Sequence, residues 1–74
     1  MENLYHKENS LFAENLKAIR LSKGLTQKDV ATGLLVPIST YANWEQGRTE
    51  PSIQDIYNLI KFFEIDANDL FDID

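Results

Sequence analysis

Seventy-four residues with no cysteine and a formal net charge of −5 describe one small domain that no disulfide or thiolate metal site can staple. No apolar run approaches the ~20 residues needed to span a bilayer, and no signal-like stretch precedes the first predicted helix, so a cytoplasmic protein without a membrane partner is expected. The single histidine, His6, meets no carboxylate and nucleophile at useful spacing, so no catalysis, metal or cofactor is expected.

An acidic balance opposes non-specific binding to nucleic acid, which depends on neutralising phosphates. The charge is uneven, however. Residues 1–44 hold Lys7, Lys17, Arg20, Lys23 and Lys28 against Glu2, Glu8, Glu14 and Asp29, whereas residues 45–74 hold only Arg48 and Lys61 against eight acids. Such a chain can turn its less acidic face toward a polyanion, with modest affinity per subunit and strong salt dependence.

In chain order, residues 1–9 read as a flexible polar arm, loosely packed through Leu4 and Tyr5 at most. Residues 10–74 read as the folded domain. Ser10 is placed to cap a helix over about 11–22, with Phe12, Leu16 and Ile19 inward and Ala13 beside them. Gly24 ends it. Thr26-Gln27-Lys28-Asp29 has capping-box spacing and opens a helix over 27–34, whose apolar stripe is Val30, Ala31 and Leu34. After a break at Leu35-Val36-Pro37, a second short helix fits 38–46 and Gly47 stops it. Two short helices joined this tightly have the plan of a helix-turn-helix.

Pro51 follows a polar linker, and Ser52 to Asp55 repeats the capping-box spacing. The fourth helix is predicted over 53–63, with Ile53, Ile56, Ile60 and Phe63 on one side and Tyr57 and Leu59 flanking. Asp66 to Asp69 is a third such box, opening a short helix over 67–71. The prediction is an all-α domain of five helices. The acids from Asp66 to Asp74 lack the central glycine and closing glutamate of a calcium loop and read as a solvated end.

The ordered set Gly24-Leu25-Thr26-Gln27, Ala31, Trp44-Glu45-Gln46-Gly47-Arg48 and Pro51-Ser52 resembles the Cro and lambda-type repressor family, often called the XRE family. The likeness runs from about Leu16 to Phe71. It implies a compact five-helix lambda-repressor-like fold and a transcription regulator that binds operator DNA as a two-fold homodimer. It places Ile38, Ser39 and Asn43 toward the bases, with Gln27 reaching a phosphate or a flanking base. It also places Pro37 and Thr40 near the sugar-phosphate edge. The chemistry agrees: an Asn can donate and accept together at an adenine edge, a Ser can do either, and an isoleucine can meet a thymine methyl.

Lys17, Lys23, Lys28 and Arg48 are candidate phosphate contacts. The resemblance also implies a structural ion pair between Arg20 and Glu45. Tyr41 and Trp44, three apart beside Val30 and Leu34, read as core rather than as a platform for bases. Phe62 stands where the family usually has a small residue. With Ile65 and Phe71 it is a candidate dimer contact, the other reading being a thickened core.

Leu35 occupies a position where the turn usually carries glycine, and Pro37 replaces the usual hydroxyl cap, so proline is expected in the first turn of the third helix. With no second domain in view, no ligand sensor or large dimerisation module is expected. The function expected is a sequence-specific double-stranded DNA-binding regulator, a repressor acting as a homodimer. The rival is a protein-interaction module of the same fold, antitoxin-like or antirepressor-like, meeting a protein partner through the acidic C-terminal half.

Overall fold

The computed structural model describes the backbone of residues 4–71 and the side chains from residue 11 to 71. Among these residues the chain forms five helices: α1 Leu4–Ser22, α2 Gln27–Leu34, α3 Ile38–Glu45, α4 Ile53–Phe63 and α5 Ala67–Phe71. The fold is all-α, of the compact five-helix lambda-repressor-like kind. No described helix is long and apolar enough to cross a membrane.

The main departure from the sequence reading is at the N-terminus. Helix α1 begins at Leu4, so residues 4–9 belong to it rather than to an arm, and Ser10 lies inside it instead of capping it. The stretch LYHKENS contains no glycine or proline and includes three good helix formers, so nothing stops the helix short of Leu4. How Leu4 and Tyr5 pack, and the tail beyond Phe71, lie outside the described residues.

The caps explain the other boundaries. Thr26 Oγ1 accepts from the Asp29 N–H at 3.0 Å, and Asp29 Oδ2 accepts from the Thr26 N–H at 2.8 Å. The second box does the same between Ser52 and Asp55, at 3.1 and 3.0 Å. In the third, Asp69 accepts from the Asp66 N–H at 3.0 Å, while its own N–H turns to the Asp66 carbonyl at 3.1 Å. Each pairing satisfies N–H groups that a helix start leaves without partners.

The core is built from every helix. Leu16, Val30, Ala31, Tyr41, Trp44, Leu59, Phe63 and Leu70 form one buried cluster, with Phe12, Ile19, Leu34, Ile56 and Ile60 packed around it. Fully burying a side chain such as Leu16, Val30, Leu59 or Leu70 contributes roughly 1.5–3 kcal/mol. Helix α4 is rotated from the sequence reading: Leu59 is fully buried, whereas Ile53 is 86% exposed. Phe63, Leu59 and Ile56 form the i, i+3, i+7 stripe, and Ile53 falls one turn short of the partners it would need. Asn15 on α1 ties down the last helix by donating to the Leu70 carbonyl at 2.9 Å.

Among the described residues two non-glycines sit in the left-handed region, Leu35 (φ 62°) and Glu64 (φ 58°), each ending a helix. At the first, the Leu35 N–H reaches the Thr32 carbonyl at 3.2 Å and the Val36 N–H reaches the Ala31 carbonyl at 3.0 Å. The hydrogen bonds are those of a glycine-type cap, made here by a leucine whose left-handed backbone costs about 1–2 kcal/mol.

Candidate nucleic-acid interface

Helix α3 is two-faced. Its inner side is anchored by Tyr41 and Trp44, whose rings meet edge to face at 5.9 Å, and by the buried end residue Glu45. Its outer side carries Ile38 and Ser39, both exposed, with Asn43 half-buried one turn on and Gln46 exposed beyond it. Glu45 is the helix's only acid and it points inward, so no carboxylate of α3 lies on the outer side. Thr40 is half-buried at the flank.

Pro37 is the N-cap residue (φ −62°, ψ 148°), one position before the helical turn in which it was expected. Its carbonyl accepts from the N–H groups of Thr40 at 3.1 Å and Tyr41 at 3.2 Å, and its side chain offers no cap. Proline's fixed φ suits this entry into the helix and lets the turn do without a hydroxyl.

A buried polar network holds α1, α2 and α3 together beneath this face. Arg20 Nε donates to Glu45 Oε2 at 2.6 Å and a second guanidinium nitrogen donates to Oε1 at 3.0 Å, a bidentate pair. The third nitrogen donates to the Leu25 carbonyl at 2.9 Å in the loop between α1 and α2. Gln27, the first residue of α2, donates from Nε2 to Glu45 Oε1 at 3.1 Å. Nothing in the sequence points to that bond, since Gln27 and Glu45 stand 18 residues apart. The amide keeps a second N–H for an outside acceptor.

The charges follow. Burial would raise the Glu45 carboxyl, but the Arg20 guanidinium, followed by the Tyr41 hydroxyl and the Gln27 amide, outweighs it and holds the group below its ordinary range. The same bond to Glu45 raises Arg20. The Tyr41 hydroxyl is buried and makes no hydrogen bond of good geometry, yet it lies within the field of the pair. Burial, reinforced by Glu45, pushes its ionisation far up. Outside, the Asp29 carboxyl is lowered by its bond from the Thr26 backbone.

Because Glu45 is matched by Arg20, the exposed charges over residues 15–48 reduce to Lys17, Lys23, Lys28 and Arg48 against Asp29. The basic side chains stand on α1, at its end, on the first turn of α2, and just after α3. The structure thus brings Gln27 beside Glu45 under α3 and leaves Ile38, Ser39 and Asn43 on the outer side. Phe62 packs edge to face on Phe63 at 5.2 Å, Ile65 lies against the core, and Phe71 is tilted on Phe12 at 5.3 Å. Among the described residues no group of three His, Cys, Asp or Glu could hold a metal ion.

Two short helices in tight sequence, the second with an open polar face backed by a buried ion pair, define a helix-turn-helix DNA-binding domain. The Helix-turn-helix family model matches residues 16–70, and the chain belongs to that family, in its XRE or Cro and lambda-like branch of transcriptional regulators. It is similar to the HTH-type transcriptional activator BcrR of Enterococcus faecalis, at 32% identity over 80% of this chain and 29% of the relative. It is also similar to the cryptic phage CTXphi transcriptional repressor RstR of Vibrio cholerae, at 28% identity over 81% of this chain and 54% of the relative. An HTH-type transcriptional regulator of Methanocaldococcus jannaschii is 36% identical over 76% of this chain and 85% of its own length. The chain spans about a third of the length of the first of these and about half of the second. No solved structure gives a significant match.

Proposed function

We propose that this chain binds double-stranded operator DNA in a sequence-specific manner, as a homodimer in the cytoplasm, and represses transcription by occupying the operator. The observation that carries this is the open outer side of α3, with Ile38 and Ser39 exposed and Asn43 behind them, on a helix whose inner side is locked into the core. In this reading α3 lies in the major groove. Asn43 reads an adenine edge, Ser39 an adjacent donor or acceptor, and Ile38 a thymine methyl. Gln27 presents its remaining N–H to a phosphate or flanking base. Thr40, Lys17, Lys23, Lys28 and Arg48 hold the backbone. Two subunits set their recognition helices about one helical turn apart, ~34 Å. The protein-partner alternative would be favoured by acids on the recognition side, and α3 exposes none.

Selection of bound sites from a random duplex library, repeated at two salt concentrations, tests this. An enriched two-fold site is expected. Asn43→Ala should relax preference at one base pair, with a loss of about 1–3 kcal/mol of discrimination. Lys28→Ala should weaken all sites alike and reduce the salt slope by about 1. Weak binding blind to sequence would sink the reading.

A further inference from the structure

Among the described residues the Tyr41 hydroxyl is the one buried side-chain polar atom without a hydrogen bond. A phenylalanine of the same shape would fill the same space, keep the edge contact to Trp44 and leave no donor unmet. The hydroxyl therefore carries a cost that packing does not account for. Its neighbour is the network under α3. Tyr41 and Glu45 stand one turn apart on the inner side of that helix. Helical side chains lean toward the N-terminus, so the Glu45 carboxylate is carried back toward Tyr41. The two groups act on each other: the hydroxyl lowers the ionisation of Glu45, and the carboxylate raises that of Tyr41.

An ionised carboxylate has about four acceptor sites. Three bonds reach Glu45, two from Arg20 at 2.6 and 3.0 Å and one from Gln27 at 3.1 Å. They are not equivalent. The Arg20 pair is charged, bidentate and buried. The Gln27 bond has a neutral donor, is the longest, and comes from a half-buried side chain at the first residue of α2. It is the bond that can be given up.

We propose that Tyr41 is the reserve donor of this network: when Gln27 turns from Glu45 to an acceptor on DNA, the carboxylate swings to the Tyr41 hydroxyl, which takes the place of the amide. The movement needed is small. The last torsion of a glutamate is broad and soft, whereas Tyr41 is fully buried and its ring is held by Trp44. Bonded to Glu45, the Gln27 amide is aimed into the protein and has one N–H left; released, it can present donor and acceptor side by side to a base edge. Without a replacement donor, the release would leave a buried carboxylate short of a partner and loosen α3 as it meets DNA. Tyr41 is thus a positioning residue that acts through Glu45 and stays in the core. The exchange is a property of the free chain; its use on DNA rests on the operator reading above.

Thermal melting of the wild type, Gln27→Ala, Tyr41→Phe and the double variant tests the exchange without DNA. Tyr41→Phe alone should move the midpoint by less than about 2 °C, since the hydroxyl bonds to nothing there. In the Gln27→Ala background the same change should lower it by about 4–8 °C, the loss of one hydrogen bond. A role in packing alone would give equal shifts. An NMR titration of the Glu45 carboxyl should agree: Gln27→Ala alone leaves it lowered, and adding Tyr41→Phe raises it. On the enriched duplex, Tyr41→Phe should weaken binding about three- to tenfold when Gln27 is present and leave binding unchanged in Gln27→Ala. Equal melting shifts in the two backgrounds, or equal losses of affinity in both, would overturn the proposal. A chain that ignores every duplex yet shows the melting difference keeps the exchange and sinks only the operator reading.

Discussion

Gly33 and Phe62 offer the sharpest test of how α2 meets α4. A Cβ at Gly33 would fall inside the van der Waals radius of Phe62 Cε1, and would stand 3.0 Å from Cζ and 3.1 Å from Cδ1. The ring thus lies in a space that only glycine leaves open. Gly33→Ala should gain about 1 kcal/mol from helix propensity in the interior of α2. Displacing a half-buried ring that already contacts Phe63 should cost about 1–3 kcal/mol as overpacking. The net expectation is a loss of between roughly zero and 2 kcal/mol.

In a Phe62→Ala background the methyl has room, and the same substitution should stabilise by about 1 kcal/mol. The coupling between the two sites is therefore about 1–3 kcal/mol, well above the few tenths expected of independent positions. Urea denaturation of the four proteins measures it, and so do melting temperatures, since 1 kcal/mol moves the midpoint of a domain this size by about 4–8 °C. If Gly33→Ala had the same effect in both backgrounds, the ring would not be what requires glycine, and the account of this helix contact would be refuted.

Glu45→Ala should destabilise by about 3–5 kcal/mol, because it strands the Arg20 guanidinium in a buried position; an effect under 1 kcal/mol in denaturant titration would mean that the site is wetter than its burial indicates. Glu45 is also held below its ordinary value of 4.5, so its contribution to stability is complete above that pH and is lost as pH falls through the folded-state value. Acid titration of the wild type should therefore show a stability loss below pH 4.5 that a double variant Arg20→Met, Glu45→Leu lacks in large part. Glu64→Gly removes a left-handed glutamate at the end of α4 and should stabilise by up to about 1 kcal/mol, since the relieved strain of about 1–2 kcal/mol exceeds glycine's extra chain entropy. No gain in melting temperature would mean that the helix end already relaxes without it.

Much of the architecture could be read from the chain because its signals are local. Thr26 with Asp29, Ser52 with Asp55, and the glycines at 24 and 47 mark helix ends through bonds between residues three to five positions apart. What escaped reading was non-local. The start of α1 is an exception: the lack of any glycine or proline between Leu4 and Ser10 was a local signal, outweighed in the reading by Ser10 as a candidate cap. The choice between Ile53 and Leu59 as core depends on how α4 is rotated against the rest of the fold, where Phe62 sits against Gly33 of α2 and Leu59 is fully buried. The family likeness implied which residues of α3 face outward, and Ile38 and Ser39 are exposed there with Asn43 half-buried. The bond from Gln27 to Glu45 was not legible, because it joins positions 18 apart that only the turn at Leu35 brings together.

The buried network and the surface charge solve one problem jointly. A chain of net charge −5 must present a face to DNA without its own acids opposing the approach. Glu45 is the one acid of α3, and were it on the outer side it would sit beside Asn43 and repel the backbone. Turned inward, it is neutralised by Arg20 and holds Gln27 at the entrance of α2. Burial of the pair returns little net stability, because desolvation offsets most of the attraction. Its effect is orientational: one carboxylate accepts from α1 and α2 at once, so the angle of α3 cannot change without breaking bonds to both. Of the other acids, seven fall after Gly47, on α4, α5, their loops and the tail, and between residues 15 and 44 only Asp29 remains, its carboxylate held in the α2 cap by Thr26. Acidity in this chain is thus segregated, kept off the outer side of α3 by burial in one place and by position in the others.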